Sequence, residues 1–123
     1  MKKKTRSRLP CSVLPRIRIL RGRDIALGPG KVELLMLIGQ TGSINQAACR
    51  MGMSYMRAWS LVRTMNRSFR KPLVVVARGG EGGGGAMLTE TGDKVAALYQ
   101  QMEQASLRAT AAVWRQLRRL LLG

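Results

Sequence analysis

Residues 41–67, TGSINQAACRMGMSYMRAWSLVRTMNR, decide the fold. They read as two short helices joined by a tight turn. Gly42 ends a preceding helix, and Ser43 caps the next one because its hydroxyl accepts a bond from an orphan backbone N–H. Ala47 and Ala48 are small enough for a close helix crossing. Gly52 stands where that helix must stop and the chain must turn back. Ser54 then caps a second helix that runs to about Phe69.

The second helix has two faces. Tyr55, Ala58, Trp59, Val62, Met65 and Phe69 recur at helical spacing, which makes one apolar stripe directed inward. Arg57, Ser60, Arg63, Thr64 and Arg67 fall on the other side: three cations, two hydroxyls and no carboxylate. A helix of about 10–12 Å diameter fits the DNA major groove, where arginine bonds guanine edges and hydroxyls reach bases or phosphates. The plainer alternative is an amphipathic helix with a solvated charged face. The preceding Ala-x-x-x-Gly turn and the hairpin that follows favour the DNA reading.

Composition points the same way. The 123 residues suit one compact domain with an added helix. Against 22 Lys+Arg stand 6 Asp+Glu, so the net charge is 22 − 6 = +16, which implies a polyanionic partner. No Asp or Glu occurs between Glu33 and Glu81, whereas Arg50, Arg57, Arg63, Arg67, Arg70, Lys71 and Arg78 all do. Few aromatics argue against base stacking on an aromatic platform. The chain has no His and few carboxylates, so no catalytic constellation can be assembled and no enzyme is expected. Two cysteines are too few for a zinc site, and no metal is expected. Cys49 is expected to face the core, unpaired with Cys11, which fits a reducing compartment. No apolar run approaches the roughly 18 residues of a membrane span. The start, with five cations and two prolines in residues 1–15, is too interrupted for a secretion signal. A cytoplasmic location follows.

Outside the helix pair, residues 1–15 read as a basic leader without regular structure. Residues 16–20, RIRIL, alternate as a short strand with Ile17 and Ile19 on one face. Pro29 opens a helix, apolar on nearly every side from Lys31 to Gln40, that should be the buried centre. Beyond Pro72, LVVVAR at 73–78 is a strand, GGEGGGG at 79–85 a loop, and 86–89 a return strand. A hairpin after two such helices describes a wing, whose Gly79, Gly80, Gly82 and Gly83 let the backbone approach phosphates, with Arg78 at its base. No Gly-Lys-Ser/Thr opens a helix there, so a nucleotide-phosphate loop is excluded.

Thr89 caps a last helix, with Glu90 and Asp93 complementing its dipole. Val95, Leu98, Met102, Ala105, Ala109 and Val113 continue one stripe on it. At roughly 45–50 Å this helix is longer than one small domain can cover. A second copy of the chain is expected to bury the stripe and to present two reading helices to two half-sites.

The segments TGSINQAA (41–48), MGMSYMRAWSLV (51–62), KPLV (71–74), the glycine-rich wing and LTETG (88–92) resemble the DNA-binding half of the molybdate-responsive ModE regulators. A more generic likeness to LysR-type winged helices accompanies it. The resemblance implies a dimeric transcription factor contacting operator DNA through Ser54, Tyr55, Arg57, Ala58, Arg63 and the wing glycines. Members of that family follow this domain with β-barrel modules that bind molybdate. No residues for that task are expected within 1–123, so no cofactor is assigned and molybdate is implied by the resemblance alone.

The expected fold is therefore mostly α with a small β-hairpin. It is a winged helix-turn-helix over 16–91 with a long C-terminal dimerisation helix over 92–123. The expected function is a DNA-binding regulator of repressor type, partnered by double-stranded DNA and a second copy, without a membrane. DNA-contacting candidates are Ser43, Ser54, Tyr55, Arg57, Ala58, Ser60, Arg63, Thr64, Arg67, Arg78 and the four wing glycines. The alternative is a sequence-blind basic protein of nucleoid type, which the charge fits equally well.

Overall fold

A computed structural model describes residues 9–77 and 85–122. It runs β1 (Ile19–Arg21), β2 (Asp24–Leu27), α1 (Pro29–Thr41), α2 (Ile44–Met51), α3 (Tyr55–Ser68), β3 (Val74–Val76), β4 (Ala86–Leu88) and α4 (Glu90–Arg118). The strands form two separate antiparallel pairs, β1–β2 and β3–β4. One hairpin was expected and two are present. The additional partner is β2, joined to β1 through Gly22 and Arg23, with Gly22 at φ 65, a conformation that glycine reaches at little cost.

The chain's own local chemistry shapes each helix. Pro29 opens α1, where a missing N–H costs nothing. Gly42, at φ 70, closes α1 and donates its N–H to Ile38 O at 2.8 Å. Val32, Leu34, Leu35 and Ile38 of α1 are buried at the centre of the core, as its all-round apolar pattern requires. Ala26 and Leu27 of β2, Leu73, Val74 and Ala86 around the second hairpin, and Ala96 and Tyr99 of α4 complete it.

Two joints hold α4 to the rest. Its Tyr99 is buried and donates its hydroxyl to Ile17 O at 2.6 Å, tying the helix to the segment leading into β1. Burial, then the Glu103 carboxylate, pushes the Tyr99 phenol up against an opposite pull from Arg16 and Arg18, so the donating form is retained. At the helix start Thr89 caps α4 by accepting from Gly92 N–H at 2.9 Å, while its hydroxyl donates to Pro72 O at 2.7 Å.

The docked face of α4 lies beside the stripe expected to meet a second copy. Gly92, Ala96 and Tyr99 are buried, whereas Leu98 (47% exposed), Met102 (45%) and Val113 (64%) lie open, as do Ala105 and Ala109, with Val95 half-buried. The two rows differ by about 100° around the helix, one residue's rotation. Further along, Leu107 and Trp114 share a groove with Val13, Leu14 and Pro15 of the leader, whose described residues 9–15 form neither helix nor strand. Cys49, expected to face the core, is exposed instead, because Ile44, Ala47 and Ala48 take the inner face of α2. Among the described residues no helix is long and apolar enough to cross a membrane.

Candidate nucleic-acid interface

The α2–turn–α3 unit is built from short-range bonds. Ser43 Oγ accepts from Gln46 N–H at 3.1 Å, and Ser54 Oγ accepts from Arg57 N–H at 3.1 Å. Between the helices Gly52 adopts φ 70, its N–H bonds Cys49 O, and Met53 N–H bonds Ala48 O at 3.0 Å. That pair of crossed bonds is a Schellman closure, which needs a left-handed residue at its centre. The helices then cross closely because Ala47, Ala48 and Ala58 are all 1% exposed or less.

Packing fixes how α3 is turned. Ala58, Val62 and Met65 are buried, and Trp59, Leu61 and Phe69 are half-buried. Arg57, Ser60, Arg63 and Arg67 are exposed on the opposite side. Two expectations are corrected here. Ala58, taken as a DNA-contacting candidate, is 0% exposed and packs in the core, so its smallness serves the helix crossing. Tyr55, taken as part of the inward stripe, is 47% exposed, since the stripe narrows at the first turn of α3. Its place among the outward candidates is compatible with that exposure. Thr64 is half-buried and donates its hydroxyl to Ser60 O at 3.0 Å, which commits its proton to the helix and leaves its lone pairs free. Ser43 and Ser54 are likewise engaged as caps.

Met56 was missed. It is 71% exposed and stands in one row with Ser60, Arg63 and Arg67 at spacings of four, three and four. The sequence reading placed it on neither face of the helix. The helical spacing from Ser60 would have found it. An exposed apolar side chain in that row suits contact with a thymine methyl group.

Asn66 was also missed, and it couples α3 to the second hairpin. Its Oδ1 accepts from Leu73 N–H (2.8 Å) and Val74 N–H (3.1 Å), and its Nδ2 donates to Val74 O at 3.0 Å. Replacing Asn66 by alanine leaves three half-buried backbone groups without partners. It should lower stability by about 2–3 kcal/mol in urea unfolding. A loss under about 0.5 kcal/mol would show that these bonds contribute little. The hairpin pairs Val74 with Leu88, Val75 with Met87 and Val76 with Ala86. Its base is fixed by Ala86 N–H on Gly42 O (2.9 Å) and Ala77 N–H on Gly85 O (2.8 Å). Arg78, Gly79, Gly80, Gly82 and Gly83 lie outside the described residues. Among the described residues no three His, Cys, Asp or Glu side chains gather as a metal site.

Several known proteins are similar in sequence to this chain. The chain is 44% identical over 85 residues to the molybdenum-pterin-binding protein MopB of Rhodobacter capsulatus, covering 69% of this chain and 32% of that protein. It is 41% identical over 81 residues to the DNA-binding transcriptional dual regulator ModE of Escherichia coli K12, covering 66% of this chain and 31% of that protein. Over the matched span, about two thirds of this chain, its homologues are ModE and the MopA and MopB proteins. The molybdenum transport protein ModE of Azotobacter vinelandii agrees, at 42% over 78 residues, 63% of this chain and 29% of that protein. The chain thus spans about a third of the length of the curated ModE-family relatives it matches. No protein-family model matches the chain.

Proposed function

We propose that this chain is a dimeric, sequence-reading DNA-binding regulator of transcription, non-enzymatic and of repressor type. In this reading α3 lies in the major groove and the β3–β4 hairpin lies against the backbone beside it. The observation that carries the reading is the outer row of α3. Met56, Arg57, Ser60, Arg63 and Arg67 are exposed together, with no acidic residue in the helix, over a back locked by Ala58, Val62 and Met65. Regulators of the ModE family that resemble it over this span, one of them named as DNA-binding, support the assignment. Phosphate neutralisation by the +16 charge supplies most of the affinity, and Arg57, Ser60 and Arg63 supply discrimination at base edges. Two relatives are named as molybdenum-pterin-binding. Molybdate is therefore the effector to include.

The dimer rests on α4. Its open row of Leu98, Met102 and Val113 runs along a helix of 29 residues, about 43 Å, which extends past the domain it docks on. A second copy packed along that row removes the apolar surface from water and sets two α3 helices on two half-sites.

The test is selection of bound duplexes from a random pool, with and without molybdate, followed by titration of variants. Arg57→Ala should cost about 1–3 kcal/mol on the selected duplex and much less on random duplex. Arg78→Ala should weaken both alike. If both variants lose equally on both duplexes, the division of roles is wrong. The high charge also suits a sequence-blind nucleoid-type protein. In that case excess bulk DNA would strip the protein from the selected duplex, whereas a specific regulator keeps it.

A further inference from the structure

A second cationic feature adjoins the outer row of α3 at Arg57. The segment entering β1, the start of α1 and the front flank of α3 enclose an open notch of about 400 Å³. Four cations line it, Arg16, Arg18, Lys31 and Arg57, and no acidic residue does. Three distant pieces of chain bring them together. Alternation along the extended segment sends Arg16 and Arg18 to one side while Ile17 and Ile19 pack on the core. Arg18 crosses Gly28, with its Cγ 3.5 Å from where a Cβ there would stand. Lys31 is steadied by donating to Ile25 O. Arg57 enters from the first turns of α3, next to the groove-reading row.

Four like charges around one small concavity repel one another, and a protein bearing +16 gains nothing from gathering them without an anion. We infer that this notch holds a backbone phosphate of the DNA strand bordering the groove that α3 reads, which makes the N-terminal hairpin a clamp in addition to the wing. The inference rests on the reading of α3 given above. Gly30, with nothing within 4 Å of an added Cβ, leaves one wall low enough for a phosphodiester to approach. Arg57 borders the notch from the edge of the reading row and works mainly at base edges, so the phosphate is held chiefly by Arg16, Arg18 and Lys31. Burial lowers the Lys31 ammonium, and Asp24 offsets this by raising it. A bound phosphate would further favour its charged form.

The experiment is the salt dependence of binding by the full chain to the selected duplex and to a random duplex. Arg16→Gln/Arg18→Gln should flatten the slope of log K against log salt by about 0.9 for each phosphate no longer neutralised, equally on both duplexes. The charge-preserving Arg16→Lys/Arg18→Lys should keep the slope. Arg108→Gln, a charge removed from α4, should leave it unchanged. Thermal unfolding confirms that each variant is folded. An unchanged slope in the Gln variant, with wild type binding normally, overturns the clamp and leaves the α3 reading intact. An equal change in Arg108→Gln reassigns the effect to net charge and also overturns it. Competition by inorganic phosphate, beyond that of chloride at equal ionic strength, would assign the notch to a free anion instead. Failure of wild type to bind DNA removes the α3 reading and the clamp with it.

Discussion

Replacing Gly92 with alanine should abolish or severely weaken cooperative folding, with a loss of about 3 kcal/mol or more in thermal or urea unfolding. An added Cβ would stand 2.2 Å from Leu73 O and 3.1 Å from Leu73 C, distances that non-bonded atoms do not tolerate. Something must move, and Leu73 is held on both sides. Its N–H is bonded to Asn66 Oδ1 at 2.8 Å, and its carbonyl accepts Thr89 N–H at 2.9 Å. Its side chain is 0% exposed in the core. Shifting Leu73 therefore loosens α3, the β3–β4 hairpin and the cap of α4 together. Shifting α4 instead strains the Tyr99–Ile17 joint farther along the same helix. Gly30→Ala is the control, since a Cβ there meets nothing within 4 Å and the residue sits in the first turn of α1. It should be neutral or slightly stabilising. If Gly92→Ala melts like wild type, the close approach of α4 to β3 is wrong.

The second large effect concerns assembly. Leu98→Glu/Met102→Glu places two carboxylates in the open row of α4, at positions 47% and 45% exposed in the single chain. The monomer should fold with nearly unchanged stability, because surface changes away from core contacts cost little. In the proposed dimer the same charges would be buried without partners, which is strongly unfavourable. Sedimentation should therefore report half the wild-type mass. Affinity for a two-half-site duplex should drop by roughly 100-fold or more, because linked binding is lost, while binding to a single half-site stays the same. Equal mass for variant and wild type would remove this row as the dimer surface. Loss of the folded monomer would show instead that the row packs within one chain.

The two variants probe different kinds of information. Ser43, Ser54 and Thr89 cap their helices through bonds to residues three places on, and such bonds depend on local sequence alone. Gly42 and Gly52 close helices in the left-handed conformation for the same local reason. The four helices and the β3–β4 hairpin are accordingly legible along the chain, as is the outward side of α3 carrying Ser60, Arg63 and Arg67. β2 was not legible, because DIAL is too short to announce a strand without the β1 partner that completes its ladder.

Sequence by itself determined the order of the helices and the second hairpin, about where each helix starts and stops, and a cationic face on α3, because these follow from caps, turns and helical spacing. Tertiary structure alone decided which row of α4 turns inward and how Arg16, Arg18, Lys31 and Arg57 come to share one notch. The physical reason is that α4 carries small or apolar residues on more than one side. Only the fit of Gly92 against Leu73 and of Tyr99 beneath Ile17 selects among those sides, and contacts between residues tens of positions apart leave no periodic trace in the chain.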